Sequence, residues 1–173
     1  AKKAMIVVAG SLFMAAMTQI SVPFYPVPVT LQTLAVMLIG VTFGFRMAAA
    51  TLALYLLEGL AGLPVFSNFG AGYAKLVGPT GGYLVGFLIA AAVMGFFADL
   101  GVTRGWVGMI WTLLVGEAII MALGFGWLAS LIGAEKAWIG GVVPFILGDV
   151  LKLALAALIA KGVLKGAARF ARL

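Results

Sequence analysis

The 173-residue sequence contains no cysteine and no histidine, and charged residues make up only 9% of it. The lack of cysteine excludes disulfides, thiol nucleophiles and thiolate metal sites, and the lack of histidine excludes histidine-based triads and metal sites. Soluble domains carry roughly 25% charged residues, so this chain has too little polar surface to cover a core in water. We expect no catalytic residue, no metal and no cofactor.

Apolar residues are abundant instead, at 65% of the sequence, with a mean hydropathy of +1.24. A helix needs roughly 20 apolar residues to cross a bilayer. The apolar runs lie at 4–21, 29–60, 83–98, 106–131 and 138–164. The sequence therefore predicts an all-α integral membrane protein with one domain over residues 1–173, in contact with a lipid bilayer.

The run over 29–60 allows two interpretations, one tilted helix or a hairpin of two short helices around Gly40, Gly44 and Arg46. The hairpin gives six spans and places both termini on one side. Eight basic side chains then share that side, two face the other, and Lys152 lies within a span; the eight are Lys2, Lys3, Arg46, Arg104, Lys161, Lys165, Arg169 and Arg172. Because cytoplasmic loops are enriched in Lys and Arg, charge favours six transmembrane helices with both termini cytoplasmic. The same bias explains the net charge of +6 without a nucleic-acid partner.

The longest connection on the predicted outer side covers residues 61–79, and we call it the cap loop. Loops longer than about 12–15 residues without their own structure are usually functional or disordered. This loop carries Leu63, Val65, Phe66, Phe69 and Tyr73, which are too apolar to be left in water. We predict an ordered cap over a cavity; the alternative is a loop that packs on the helix ends for structural reasons alone.

The last apolar run contains two charged residues, Asp149 and Lys152. Their spacing places both on one face of a helix, and each costs roughly 2.5–3.5 kcal/mol at the bilayer centre on insertion scales. They form a structural ion pair or a site for a small solute with hydrogen-bond donors and a negative group; intramembrane charges favour the second. Glu117, in the fifth span, is expected to be protonated or bonded to another helix. A proton or cation channel lined by Glu117 and Asp149 is an alternative function.

Three motifs occur in order along the chain: "VPFYPVPVTLQTLAVMLIG" (22–40), "GLPVFSNFGAGYAKLVGPTGGYLVGF" (62–87) and "PFILGDVLK" (144–152). Together they resemble the BioY family, the biotin-binding S components of energy-coupling factor (ECF) vitamin transporters. The resemblance implies a multi-pass protein of a bacterial or archaeal cytoplasmic membrane that captures biotin with high affinity from outside. It also implies a transmembrane coupling subunit and two cytoplasmic ATPase subunits as partners. An S component for another vitamin is the alternative.

The chain itself is expected to be a transport subunit and not an enzyme. Its "GPTGG" at 78–82 lacks the Gly-Lys-Ser/Thr ending of a nucleotide-binding P-loop. The resemblance assigns biotin binding to three residues: Asn68, Asp149 and Lys152. By position, three more residues are candidates for the wall of the site, with helix packing or interfacial anchoring as the alternative: Gln32, Tyr83 and Trp127.

Small residues on the first span predict a docking surface. Ser11 and Ala15 are four residues apart, the spacing that lets two helices approach closely in lipid. This face packs against the chain's own helices or against a partner. The resemblance favours the partner, because it implies that S components dock the coupling subunit through small residues of the first helix.

Overall fold

The computed structural model describes residues 1–23 and 26–170, and it is built almost entirely of helices. These are α1 (Lys2–Gln19), α2 (Gln32–Phe43), α3 (Phe45–Leu60), α4 (Tyr73–Val77), α5 (Gly81–Asp99), α6 (Trp106–Ile132), α7 (Ala134–Gly141) and α8 (Ile146–Phe170). Two-residue strands β1 (Ser21–Val22) and β2 (Val29–Thr30) pair antiparallel, with Ser21 opposite Thr30. The all-α prediction is confirmed, with this short hairpin as the addition.

The apolar run over 29–60 is divided at Gly44 into α2 and α3. Gly44 has a φ of +80°, which glycine adopts without steric cost. Directly after it, the backbone N–H of Phe45 donates to Asp99 Oδ2 at 2.9 Å and so gains a partner at the start of α3. Gln32 Nε2 donates to Tyr55 Oη at 2.7 Å. Because these two residues lie at similar distances on either side of Gly44, α2 and α3 run antiparallel, as the hairpin interpretation predicted.

The connections between helices gather at two ends of the bundle. The Gly44 break and the 100–105 connection lie at one end, where Lys161 Nζ donates to the carbonyl oxygen of Thr103 at 3.1 Å. The strand hairpin, the cap loop and α7 lie at the other, which we call the cap end. Seven of the eight basic residues that were predicted to share one side lie, by the directions of their helices, toward the end with the Gly44 break. The eighth, Arg172, lies outside the described residues.

Three helical stretches of the described chain are long and apolar enough to cross a membrane: Gly81–Asp99, Trp106–Ile132 and Ala134–Arg169. Helix α2 is apolar but has 12 residues, about 18 Å at 1.5 Å per residue, against roughly 30 Å of hydrocarbon. Large apolar side chains are exposed along the long helices, among them Phe96, Val107, Trp111, Leu147 and Leu158. Such a continuous apolar surface marks a membrane protein.

The last predicted span, 138–164, is not one helix. Helix α7 ends at Gly141, a 3-10 turn covers Val143–Phe145, and α8 begins at Ile146. Pro144 has no N–H and fixes its own φ, so it cannot continue a preceding helix but suits the start of a new one. The apolar run therefore contains a break that the sequence analysis did not predict, and this break places Asp149 in the first turn of α8.

Glycines bring α5 and α6 close together and thereby fix the inner face of α5. A Cβ on Gly82 would lie 2.4 Å from the carbonyl oxygen of Leu123, and one on Gly124 would lie 2.3 Å from the ring of Tyr83. Helices in lipid associate through such close packing and not through a hydrophobic driving force. The consequence is a fixed position for the Tyr83 ring, which is 4% exposed.

Candidate ligand site beneath the cap loop

A cavity at the cap end lies among β2, α2, the cap loop, α5, α6 and α8. Its wall is mostly apolar and contains a few polar side chains, as small-molecule sites do. The lining residues are Val27, Pro28, Thr30, Gln32, Thr33, Phe66, Ser67, Thr80, Tyr83, Leu84, Phe87, Met121, Phe145 and Lys152. The six elements that meet here come from the whole length of the chain.

The cavity is narrow, with a volume of about 30 Å³. That volume holds roughly one or two water molecules, whereas sites for drug-sized ligands measure about 300–1,000 Å³. A ligand of that size enters only if the wall moves apart. The lining residues Phe66 and Ser67 of the cap loop, and Val27, Pro28 and Thr30 of the strand hairpin, lie outside the α-helices.

Lys152 and Asp149 form a buried ion pair at the edge of this cavity. Lys152 Nζ lies 3.3 Å from Asp149 Oδ1, and each side chain is 7% exposed. The same ammonium group donates to the carbonyl oxygen of Thr30 at 2.6 Å. Asp149 sits in the first turn of α8, where the helix dipole and free N–H groups favour a negative charge. Lys152 lines the cavity, and Asp149 lies behind it.

Tyr83 and Gln32 lie in the cavity wall, where the sequence placed them. Tyr83 Oη donates to the carbonyl oxygen of Gly141 at 2.6 Å, and its ring stacks on Phe145 with centroids 6.1 Å apart. Gln32 Nε2 is held by Tyr55 Oη. Both side chains are thus fixed before any ligand arrives, and their contact with a ligand stays a prediction.

The cap loop is ordered and anchored on α1 and α3. The Phe66 ring is 1% exposed and covers Gly59, where a Cβ would lie 2.1 Å from Phe66 Cζ. Gln19 Nε2 donates to the carbonyl oxygen of Phe66 at 2.9 Å, and Gln19 Oε1 accepts from the Phe69 N–H at 3.0 Å. Tyr55 Oη donates to the carbonyl oxygen of Val65 at 2.9 Å. Sequence reasoning missed both anchors, although an amide and a phenol at the ends of apolar runs were a usable signal.

Besides Asp149, two other predicted site residues do not line the cavity. Asn68 is exposed on the cap loop beside the lining residues Phe66 and Ser67, with a left-handed backbone that Asn tolerates. Trp127 lies on the outside of α6, 38% exposed, and its Nε1 donates to the carbonyl oxygen of Gly78 at 2.8 Å. For Trp127 the geometry favours the helix-packing alternative.

Comparison with known proteins identifies the family. The sequence profile of the BioY family matches residues 1–169. The chain belongs to the BioY family. It is 43% identical over 143 residues to a probable biotin transporter BioY of Pyrococcus horikoshii, covering 83% of this chain and 84% of that protein. It is 43% identical over 142 residues to a biotin transporter BioY of Thermotoga maritima, covering 82% and 83%.

A solved structure agrees with this assignment to BioY. It is described as the S-component for biotin from an ECF-type ABC transporter. The TM-score is 0.85 at 29% sequence identity, and the match covers 95% of this chain and 91% of that one. The resemblance inferred from three sequence motifs is confirmed.

Glu117 of this BioY chain lies outside the cavity. It borders a groove between α6 and α8 that Leu114, Ile146, Asp149 and Val150 also line. Both carboxyl oxygens are buried, and neither has a hydrogen-bond partner among the described residues. The described part of the chain also contains no group of three Asp, Glu, His or Cys side chains that could hold a metal ion.

The two predicted docking residues on α1, Ser11 and Ala15, differ in how deeply they are buried. Ser11 is fully buried, and its hydroxyl group has two acceptors within hydrogen-bonding distance in the chain, Glu58 Oε1 at 3.0 Å and the carbonyl oxygen of Val8 at 2.9 Å. Ala15 is half-buried, whereas Ala9 and Ala16 are exposed. The prediction that Ser11 lies on an outer face is therefore corrected, because its hydroxyl group is bonded inward.

Proposed function

We propose that this chain is the biotin-capturing S component of an ECF-type transporter in the cytoplasmic membrane of a bacterium or archaeon. The observation that carries the proposal is the buried Asp149–Lys152 pair at the edge of an apolar cavity beneath the cap loop. Membership of the BioY family, and relatives described as biotin transporters, supply the ligand.

The chemistry of biotin matches the residues around the cavity. Its ureido ring offers N–H donors to a carboxylate and a carbonyl group to an ammonium or amide, and its valerate tail ends in a carboxylate. Asp149 and Lys152 supply these partners, and Asn68 is close along the cap loop. The thioether ring and methylene chain require apolar walls, which Phe87 and Phe145 provide. Binding requires Lys152 to exchange the Thr30 carbonyl for the ligand.

The proposed orientation follows from charge. Six helices, α1, α2, α3, α5, α6 and α8, cross the membrane with both termini in the cytoplasm. The end with most basic residues then faces the cytoplasm, and the cap loop faces outward over the cavity. Helices α2 and α3 are short, and the strand hairpin and the anchored cap loop extend the protein beyond them at the cap end.

The proposed partners are a transmembrane coupling subunit and two cytoplasmic ATPase subunits, since the sequence carries no nucleotide-binding motif. The docking surface lies on α1. Its accessible small residues are Ala9, Ala15 and Ala16, and not Ser11. Small exposed residues on an apolar helix let a second helix approach closely in lipid.

Equilibrium binding of labelled biotin to the chain, purified in lipid nanodiscs without partners, tests the proposal. We expect saturable binding that unlabelled biotin displaces and that riboflavin and thiamine do not. Preference for riboflavin or thiamine would refute biotin as the ligand and indicate an S component for another vitamin. Absence of saturable binding together with ion flux in vesicles of the chain alone would refute capture and indicate a channel.

A further inference from the structure

Glu117 is a buried acid without a donor to stabilise a negative charge. Neither of its carboxyl oxygens has a hydrogen-bond partner among the described residues, and the apolar neighbours Leu114 and Met121 line the groove beside it. The Asp149 carboxyl group lines the same groove. Two carboxyl groups, both of them hydrogen-bond acceptors when ionised, therefore share the groove between α6 and α8.

The charges of this cluster balance only with one added proton. With both acids ionised, Glu117, Asp149 and Lys152 carry a net charge of −1 in an apolar medium, and two carboxylates share one groove, which is unfavourable on both counts. One proton between the acids removes the repulsion and leaves a neutral cluster. Asp149 is the acid that stays ionised, because Lys152 Nζ lies 3.3 Å away and the first turn of α8 favours an anion.

We propose that Glu117 holds a proton and donates it in a hydrogen bond to Asp149, which makes Glu117 a positioning residue of the ligand site. The hydrogen bond fixes the Asp149 carboxylate, which in turn holds Lys152 at the cavity edge. A chain of polar contacts then runs from Glu117 through Asp149 and Lys152 to the Thr30 carbonyl oxygen. The role in biotin binding rests on the proposed function, whereas the proton on Glu117 does not.

The described groups that face this cluster are few. From α8 they are Asp149 and Lys152, and from α5 the Tyr83 hydroxyl group, which donates to Gly141.

When rising pH removes the proton from Glu117, the two carboxylates repel each other and biotin affinity falls. Glu117→Gln keeps an N–H donor toward Asp149 and cannot titrate, so its affinity is expected to stay constant over that pH range.

Infrared spectroscopy of the ligand-free chain in nanodiscs tests the proton directly. We expect the C=O stretching band of a protonated carboxylic acid in the wild-type protein, and the loss of that band in Glu117→Gln. Glu58→Gln is the matched control, because Glu58 is also an acid with an unpartnered buried oxygen; the Glu117 band must survive there. An acid band unaffected by Glu117→Gln, or no such band in the wild type, would overturn the proposal.

Biotin titrations across pH test the positioning role. Glu117→Gln is expected to bind within about threefold of wild type at neutral pH, and Glu117→Leu about 10- to 100-fold more weakly, as for the loss of one hydrogen bond to a charged group. Equal losses in both variants, or wild-type affinity in Glu117→Leu, would refute positioning. If Glu117→Leu does not fold, the pH profile of Glu117→Gln and its infrared band decide. A wild-type chain that binds no biotin would refute the proposed function. The infrared band would still show whether Glu117 holds a proton.

Discussion

Replacing Lys152 with methionine removes one charge from the ion pair and keeps most of the side-chain volume. In the wild-type chain the Lys152 ammonium group satisfies two buried acceptors, the Thr30 carbonyl oxygen at 2.6 Å and Asp149 Oδ1 at 3.3 Å. Lys152→Met leaves the Asp149 carboxylate without its cation. Asp149→Asn combined with Lys152→Met removes both charges, so the double variant leaves no unpaired ion.

These contacts set the magnitudes. Removing one partner of a buried ion pair costs about 3–5 kcal/mol of folding stability, whereas replacing both partners is often neutral. We therefore expect Lys152→Met to be destabilised by about 3–5 kcal/mol, and the double variant to recover most of that loss. Binding behaves differently, because loss of a buried charged contact with a ligand costs about 2–5 kcal/mol, or roughly 30- to 5,000-fold in affinity. The double variant is expected to be stable and unable to bind biotin tightly.

Thermal unfolding without biotin and equilibrium biotin binding are measured for the wild type, both single variants and the double variant. Leu151→Met is the matched control, since Leu151 is the neighbouring residue and is 60% exposed; it should change neither quantity. Near-wild-type biotin affinity in the double variant would refute the site and show that the pair is only structural. Unchanged thermal stability in Lys152→Met would refute the prediction that an unpaired Asp149 carboxylate destabilises the fold.

Three further variants test the cap and the helix faces. Gln19→Leu removes both side-chain hydrogen bonds to the cap loop and is expected to speed amide hydrogen exchange there and weaken biotin binding about tenfold; unchanged exchange would contradict an anchoring role. Tyr83→Phe should lower biotin affinity, whereas Trp127→Phe, outside the cavity, should lower only thermal stability; the reverse pattern would contradict the cavity assignment. Ser11→Trp should prevent folding, while Ala16→Trp should leave biotin binding intact and abolish co-purification with the coupling subunit; a folded Ser11→Trp would contradict its burial.

Much of the fold was predictable because charge and loop composition are strong signals in a membrane protein. The basic residues favoured a helix break between 29 and 60, and the structure has it at Gly44. The apolar content of residues 61–79 predicted a packed cap, and Phe66 is almost fully buried there. The break around Pro144 was not predicted, because the surrounding residues are apolar enough for one span and hydropathy does not register a local change of backbone direction.

The rotational orientation of the helices could not be predicted. In a soluble protein an apolar stripe marks the buried face of a helix, but α1 is apolar on all sides, so its small residues fit an inner or an outer face equally. The spacing left the face of Ser11 undecided and the family resemblance favoured an outer one, whereas the structure turns Ser11 inward to Glu58. For Trp127, position along α6 left ligand contact and helix packing both open, and the side chain lies outside.

Polar side chains were the reliable guide, for a physical reason. In hydrocarbon an unpaired polar group has no water to bond, so it must find a partner inside the bundle. Thr18, Gln32 and Tyr55 do so with one another across three helices, and Asp149 and Lys152 do so across α8 and β2. A polar residue in an apolar span therefore predicts an inward face, and this rule assigns Ser11 correctly where the small-residue spacing left both faces open. Applied to Glu117, the same rule requires a partner, and the partner that we propose is Asp149, which lines the same groove.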